Sequence, residues 1–334
     1  MRGIAAKSKA FRNPRNDENS MILVTAAFGN QGKLLIPKLH RAGKKVRAMR
    51  ASGDLAALKA LGATEAIHGD ASDPATLARA MEGVDTVYHV GPSLHPRERE
   101  MGLAVVDAAE AAGVKHLVFS SVLHAIIGDL IQHRDKLAIE QRIVTSKLNF
   151  TILQPTNYML PAWPNPVFET GVFRLWYSLA PRQSLIILED YAEAAAKVIC
   201  EGSKHYGATY ELSSEDCLTG YQIADTFAKV TGRPIKAEEV SPEDFFLKYR
   251  KHPSVEARRA AGQPVRVEDF KYEFEVFRTI GECYAKHDFV GNPNVLTWLL
   301  GRKPTSVEGY LVKAYARFRE AASRSGSPFC ANAS

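Results

Sequence analysis

The chain has 334 residues, enough for one large domain or two modest ones, and 46% of them are hydrophobic, as expected of a globular protein with a core. Its formal net charge of +6 comes from Lys and Arg scattered among acids, so nucleic-acid binding is not implied, and no apolar run approaches a membrane span. Four widely spaced cysteines (Cys200, Cys217, Cys283, Cys330) form neither a CxxC pair nor a metal-ligand cluster, so no metal is expected and reduced thiols in the cytoplasm are.

Residues 1–20 are basic and polar without an apolar core, and are read as a disordered extension rather than a secretory signal. The organised chain begins at Met21. An apolar run, Met21 to Thr25, predicts a strand, followed by Ala26-Ala27-Phe28-Gly29-Asn30-Gln31-Gly32, a helical pattern, and a second strand ending on Arg50. A helix entered through such a turn presents unpaired amide groups at its start and binds anions there, which suits a pyrophosphate. Gly29 and Gly32 hold the second and third positions of a G-x-x-G-x-x-G spacing, where the backbone must turn sharply and pack closely. Ala26 stands at the first, where its Cβ narrows the turn.

A dinucleotide with a free ribose 2′-hydroxyl usually meets an acid about twenty residues past the glycines. Here that region carries Arg47, Arg50 and Ser52, with no acid before Asp54. Positive charge suits a 2′-phosphate, so NADP(H) is favoured over NAD(H), with Arg50 the better candidate and Arg47 read mainly as a solvated strand-end charge.

A helix over about 52–61 and a short strand over 63–68 follow. Asp70, just past that strand, is either an adenine contact or a helix cap, and Asp73 is assigned to the cap. A helix over 74–81 leads to a fourth strand, 84–90, which Gly91-Pro92 stops where close cofactor approach would need a glycine. The helix over 98–112 is amphipathic, with Leu103, Val106 and Ala109 on one face, and a fifth strand runs over 114–121. Five strand–helix repeats with short connections predict a doubly wound, Rossmann-type α/β parallel sheet.

These residues resemble the NmrA-like branch of the atypical short-chain dehydrogenase/reductases. Thr25 to Gly32 is similar to that family's T-G-A-T-G-x-x-G loop with Ala26 and Phe28 substituted, and Val46 to Arg50 to its V-R-A-x-x-R strand. Ala111 to Ser121 resembles its fifth-strand signature, and Phe150 to Pro155 the strand that follows. The resemblance implies an NAD(P)-binding domain over 21–155, with Thr25, Ala27, Phe28, Gly29, Asn30, Gln31 and Gly32 around the phosphates. It also implies a smaller, mostly helical substrate-cleft region over 156–323, partly interleaved with the sheet, and Pro155 and Asn157 near the nicotinamide carboxamide. The stretch over 324–334 is read as a mobile tail.

The chemistry departs from the usual pattern. Short-chain dehydrogenases pair a Tyr-x-x-x-Lys with a Ser, the lysine holding the ribose and easing proton exchange at the phenol. Four residues before Lys136 stands Gln132, so the tyrosine is absent. Lys136 becomes the leading ribose ligand and proton carrier, with an exposed helix lysine as the bland alternative. His133, His124 and Ser121 are the other catalytic candidates, each with a structural alternative. Aromatic residues between Tyr158 and Trp176 could wall a substrate pocket, although core packing explains any one of them better. Glu189 to Ala195 resembles a helix of the family with a structural role, and Thr305 is expected to cap a final helix.

Two functions of different class follow. One is an NADP(H)-dependent oxidoreductase acting on a small, partly apolar carbonyl, enone or quinone. The other is a non-catalytic NAD(P)-sensing regulator acting through a protein partner; a homodimer is left open. Sugar-nucleotide epimerisation ranks last, because it normally wants the tyrosine.

Overall fold

Near-continuous apolar strands fold only where both faces of a sheet are covered, and β1 (Met21–Val24) and β5 (His116–Ser120) are of this kind. The computed structural model describes residues 20–324 apart from 93 and 250–252. The expected N-terminal extension up to 19 and the tail beyond 324 lie outside the described residues.

Between β1 and β5 the chain runs α1 (Asn30–Arg41), β2 (Lys45–Arg50), α2 (Ala56–Ala60), β3 (Glu65–His68), α3 (Pro74–Met81), β4 (Val84–Val90) and α4 (Glu98–Ala111). It continues with α5 (Ile131–Val144), β6 (Phe150–Pro155), β7 (Asn157–Met159), α6 (Asn165–Thr170), β8 (Val172–Leu175), β9 (Arg182–Ile187), α7 (Leu188–Glu201) and β10 (Ala208–Leu212). Seven parallel strands form the main sheet in the order β10-β6-β5-β4-β1-β2-β3. The winding direction reverses between β1 and β4, which places a ligand crevice outside their carboxyl ends.

Alternation along each strand splits the core. Ile22 and Val24 join Leu35, Leu39, Tyr88 and Tyr191 on the face covered by α1 and α7. Leu23 joins Val105, Phe119 and Ile139 on the face covered by α4 and α5.

Local details correct several expectations. The second helix begins at Ala56 rather than near Ser52, because Gly53 takes φ +95° and the Asp54 carboxylate accepts from the Ala56 N–H at 2.8 Å. The third strand begins at Glu65, two residues later than expected. On α4 the buried face is Gly102, Val105, Val106 and Ala109, with Leu103 only half-buried.

The rest of the chain builds a smaller region from β11 (Cys217–Thr219), α8 (Gly220–Thr231), β12 (Lys236–Glu239), α9 (Pro242–Asp244), α10 (Pro253–Ala260), α11 (Lys271–Tyr284), α12 (Asn294–Leu300) and α13 (Val307–Arg324). Strands β11, β9 and β7 form one small sheet, β12 and β8 another. Asp190, buried in the first turn of α7, ties this region down: it accepts from Arg302 Nη2 at 2.8 Å and from the Thr305 N–H at 2.6 Å. Thr305 is thereby spent on Asp190. The hydroxyl that caps α13 is Ser306, which accepts from the Gly309 N–H at 3.0 Å.

Candidate functional site

The turn between β1 and α1 is built by two glycines and one strained alanine. Ala26 sits at φ +44°, a left-handed conformation that a Cβ disfavours, and its carbonyl accepts from the Gly29 N–H at 2.9 Å. Gly32 admits no side chain, because a Cβ there would lie 2.2 Å from the Ala27 carbonyl oxygen. Gly29 is the N-cap of α1 and no side chain caps it, so the first-turn amides remain available to an anion. Gln31 is turned inward: its Nε2 donates to the Tyr158 hydroxyl at 3.0 Å and its Oε1 accepts from Tyr88 at 2.5 Å. It and Asn30 can therefore meet a phosphate through their amides.

In front of this turn lies a cleft of about 470 Å³, lined by Thr25, Phe28, Gly29, Arg50 and Asp70 among the expected residues. Arg50 is positioned from three sides. Its guanidinium carbon lies 4.2 Å from the Phe28 ring centroid, its Nη1 donates to the Asp54 carbonyl at 3.0 Å, and a Cβ on Gly53 would be 2.4 Å from Nη2. Lys33 Nζ lies 4.1 Å from the same ring. Phe28, which departs from the family loop, thus carries a cation–π contact with each of two cations, of which Arg50 lines the cleft and Lys33 is an exposed residue of α1. Arg47 points elsewhere, pairing with Glu65 at 2.6 Å and donating to the Ala80 and Glu82 carbonyls. Asp73 caps α3 through Ala75 and Thr76, while Asp70 lines the cleft with Oδ1 accepting from the Ser72 N–H at 2.8 Å, which holds its carboxyl below the usual range.

His89 on β4 also lines the cleft and was not anticipated; only its place near the carboxyl end of a central strand could have flagged it. Its Nδ1 lies 2.9 Å from the Thr25 hydroxyl, which also accepts from the Val90 N–H at 3.2 Å, and its ring stacks on Phe119. Burial, helped by the nearby Lys136 charge, pushes its pKa down to about 3, so it is a neutral imidazole near pH 7, with Nε2 unpartnered. Gly91 follows, but the space beside its Cα is filled from within: a Cβ there would meet Glu98 Oε1 at 2.8 Å.

Lys136 is no exposed helix lysine. Its Nζ donates to Glu98 Oε1 at 2.7 Å and to the Ser120 carbonyl at 3.5 Å, at the carboxyl end of β5. Ser121 is turned away from Ser120, donating to the Glu140 carboxylate, which also accepts from Gln154 Nε2 at 2.9 Å; Ser120 Oγ accepts from Tyr191 at 2.7 Å. His133 is wholly buried, its Nδ1 2.9 Å from the His124 carbonyl oxygen, and burial pushes its pKa down to about 4. It is therefore neutral near pH 7. His124 is partly exposed at φ +54°, its Nε2 3.9 Å from Glu211, and both histidine rings meet Phe289 edge-on.

Pro155 ends β6, and Asn157 opens β7 in a polar chain: Tyr284 donates to its Oδ1 at 3.2 Å, while its Nδ2 and the Tyr177 hydroxyl both donate to Gln183 Oε1, at 3.5 and 3.0 Å. Tyr284 and Tyr177 pack with Leu123, Leu130 and Phe289 as an apolar wall beside the β5 and β6 ends. Among the described residues no group of three or more His, Cys, Asp or Glu side chains is arranged to hold a metal, and no helix is long and apolar enough to cross a membrane.

With this geometry in view, comparison with known proteins is specific. The NmrA-like family model matches residues 18–256. Quinone oxidoreductase 2 of Escherichia coli is 30% identical over 67% of this chain and 79% of its own length. The NAD(P)H azoreductase of Xenophilus azovorans is 27% identical over 90% of this chain and 97% of its own. The crystal structure of the Escherichia coli NADPH-dependent quinone oxidoreductase QOR2 complexed with NADPH superposes with a TM-score of 0.71 at 25% identity, covering 88% of this chain and 100% of that one.

Proposed function

The chain belongs to the NmrA-like family, and from that premise we propose that it is an NADP(H)-dependent oxidoreductase that reduces a small, partly apolar quinone, enone or carbonyl. The observation that carries the reading is the cleft outside β1 and β4, with a glycine turn that has no room for a Cβ at Gly32 and the Arg50 guanidinium in its lining. The residues present fit a dinucleotide. Gly29 to Gly32 would hold the pyrophosphate through amides, Arg50 the 2′-phosphate, Asp70 the adenine edge, and Lys136 the nicotinamide ribose. The reduced cofactor, when bound, supplies a hydride.

This chain's own residues would do the rest. Lys136 orients the ribose and answers negative charge developing on the substrate oxygen, which a fixed cation in a water-poor site does better than solvent. His89, which lines the cleft, and His133, buried behind it against Phe289, are neutral and do not act as acids near pH 7. The buried cluster of Leu123, Tyr284 and Phe289, with Tyr177 packed against it, backs the ends of β5 and β6 from within the core. A quinone is among the substrates proposed because one relative is named a quinone oxidoreductase, and another is named an azoreductase.

Stopped-flow oxidation of NADPH against quinones, enones and aldehydes tests the reading. Saturable turnover with at least one quinone or enone is expected. Tight NADPH binding without consumption by any of them would favour a cofactor sensor instead.

A further inference from the structure

Glu98 stands in the first turn of α4, and its side chain is 2% exposed and that of its partner Lys136 13%. The carboxylate reaches the sheet edge only because residue 91 is a glycine, whose missing Cβ would stand 2.8 Å from Oε1. Lys136 Nζ, 2.7 Å from that oxygen, has the Ser120 carbonyl at 3.5 Å and the Phe119 ring centroid at 5.6 Å as its other neighbours. The pair therefore sits at the carboxyl ends of β4 and β5, close enough to the cleft for its ammonium to act on His89. Desolvating two ions is a poor way to gain stability compared with apolar side chains of the same volume. Its place at the cofactor edge of the sheet points to a use for the ammonium.

We propose that Glu98 is the positioning residue of Lys136, clamping its ammonium between the Glu98 carboxylate and the Ser120 carbonyl so that the ribose of a bound dinucleotide meets it in one orientation. This rests on the oxidoreductase reading above and adds to it the residue that makes a lysine without its tyrosine serviceable. The other titratable or charged groups around the pair are His89 on β4, His133, Arg134 and Asp135 on α5, and Tyr272 on α11, whose hydroxyl donates to Asp135 at 3.1 Å. The two histidines are held neutral from about pH 5 upward, and burial with the Asp135 charge pushes the Tyr272 phenol well above its ordinary range.

The experiment is NADPH binding by fluorescence titration of the full chain near pH 7, for wild type, Glu98→Gln, Glu98→Asp, Lys136→Met and the Glu98→Gln/Lys136→Met double variant. An ammonium released from its carboxylate no longer meets the ribose in one orientation, so Glu98→Gln should bind about tenfold more weakly. Glu98→Asp, which keeps the carboxylate, should restore part of that affinity, and Glu98→Gln should add nothing in the Lys136→Met background. An unchanged Glu98→Gln affinity overturns the inference, as does a Glu98→Gln loss equally large without the lysine. Should Glu98→Gln fail to fold, the double variant leaves no orphaned charge: affinity equal to Lys136→Met supports the inference, and a further loss overturns it. Wild type that binds no NADPH at all sinks the oxidoreductase reading itself; binding with an unaltered Glu98→Gln sinks only this inference.

Discussion

The residues that make the phosphate turn differ in what each would lose. Gly32 has no room for a methyl, whereas Ala26 already carries one in a conformation that costs an L-residue about 1 kcal/mol. We therefore expect Ala26→Gly, which restores the family's first glycine, to raise stability or leave it unchanged within a few tenths of a kcal/mol, since relief of strain is offset by the greater freedom of glycine when unfolded. Chemical denaturation measures it; a loss above about 1 kcal/mol would mean that the Ala26 methyl does more than endure strain. At this scale the sequence was legible where chemistry is local. Gly29, Gly32, Arg50 and Lys136 announce themselves by residue type and spacing. Glu98 and His89 do not, because their burial and pairing come from partners on other strands and helices.

Among the elements, the join between α7 and the segment before α13 rests on one buried carboxylate. Asp190 accepts from Arg302 and from the Thr305 backbone, and removing it would leave a backbone N–H and a guanidinium short of an acceptor. Asp190→Ala should destabilise the protein by about 3 kcal/mol, a typical cost for breaking a buried charged network. Hydrogen exchange should show protection lost first in α12 and α13; uniform loss across the main sheet would contradict this local role. The same join shows why the capping hydroxyl was misassigned. Thr305 and Ser306 are equivalent caps on paper, and only the contact with Asp190 decides between them. Strand and helix bounds were otherwise close, since period and punctuation set them, and the second helix started late because Gly53 and Asp54 form a turn of their own beneath Arg50.

For the molecule as a whole, four buried histidines link stability to pH. Burial pushes His89 and His116 down to about 3, His133 to about 4 and His205 below its ordinary value, all from 6.5. Between those values and 6.5 the unfolded chain binds more protons than the folded one, so stability rises with pH across that window and falls on acidification from about 6.5. The ligand-free protein should lose of the order of 5–10 °C in melting temperature between about pH 7 and 5, and His116→Asn, remote from the cleft, should flatten that slope. A melting temperature that holds steady over the range would show that these imidazoles are protonated inside the fold.

The doubly wound sheet sets all of this in place, because its switch between β1 and β4 brings Thr25, His89 and the glycine turn to one crevice from segments more than sixty residues apart. That crevice as a dinucleotide site is the claim on which the enzyme reading stands. Its most direct test is the affinity of wild type and Arg50→Ala for NADPH and for NADH. Wild type should prefer NADPH, and the variant should lose about tenfold of that preference with NADH binding unchanged, the effect of one charge-assisted contact to a phosphate. Failure of wild type to bind either nucleotide, or an unaltered preference in the variant, would contradict the account.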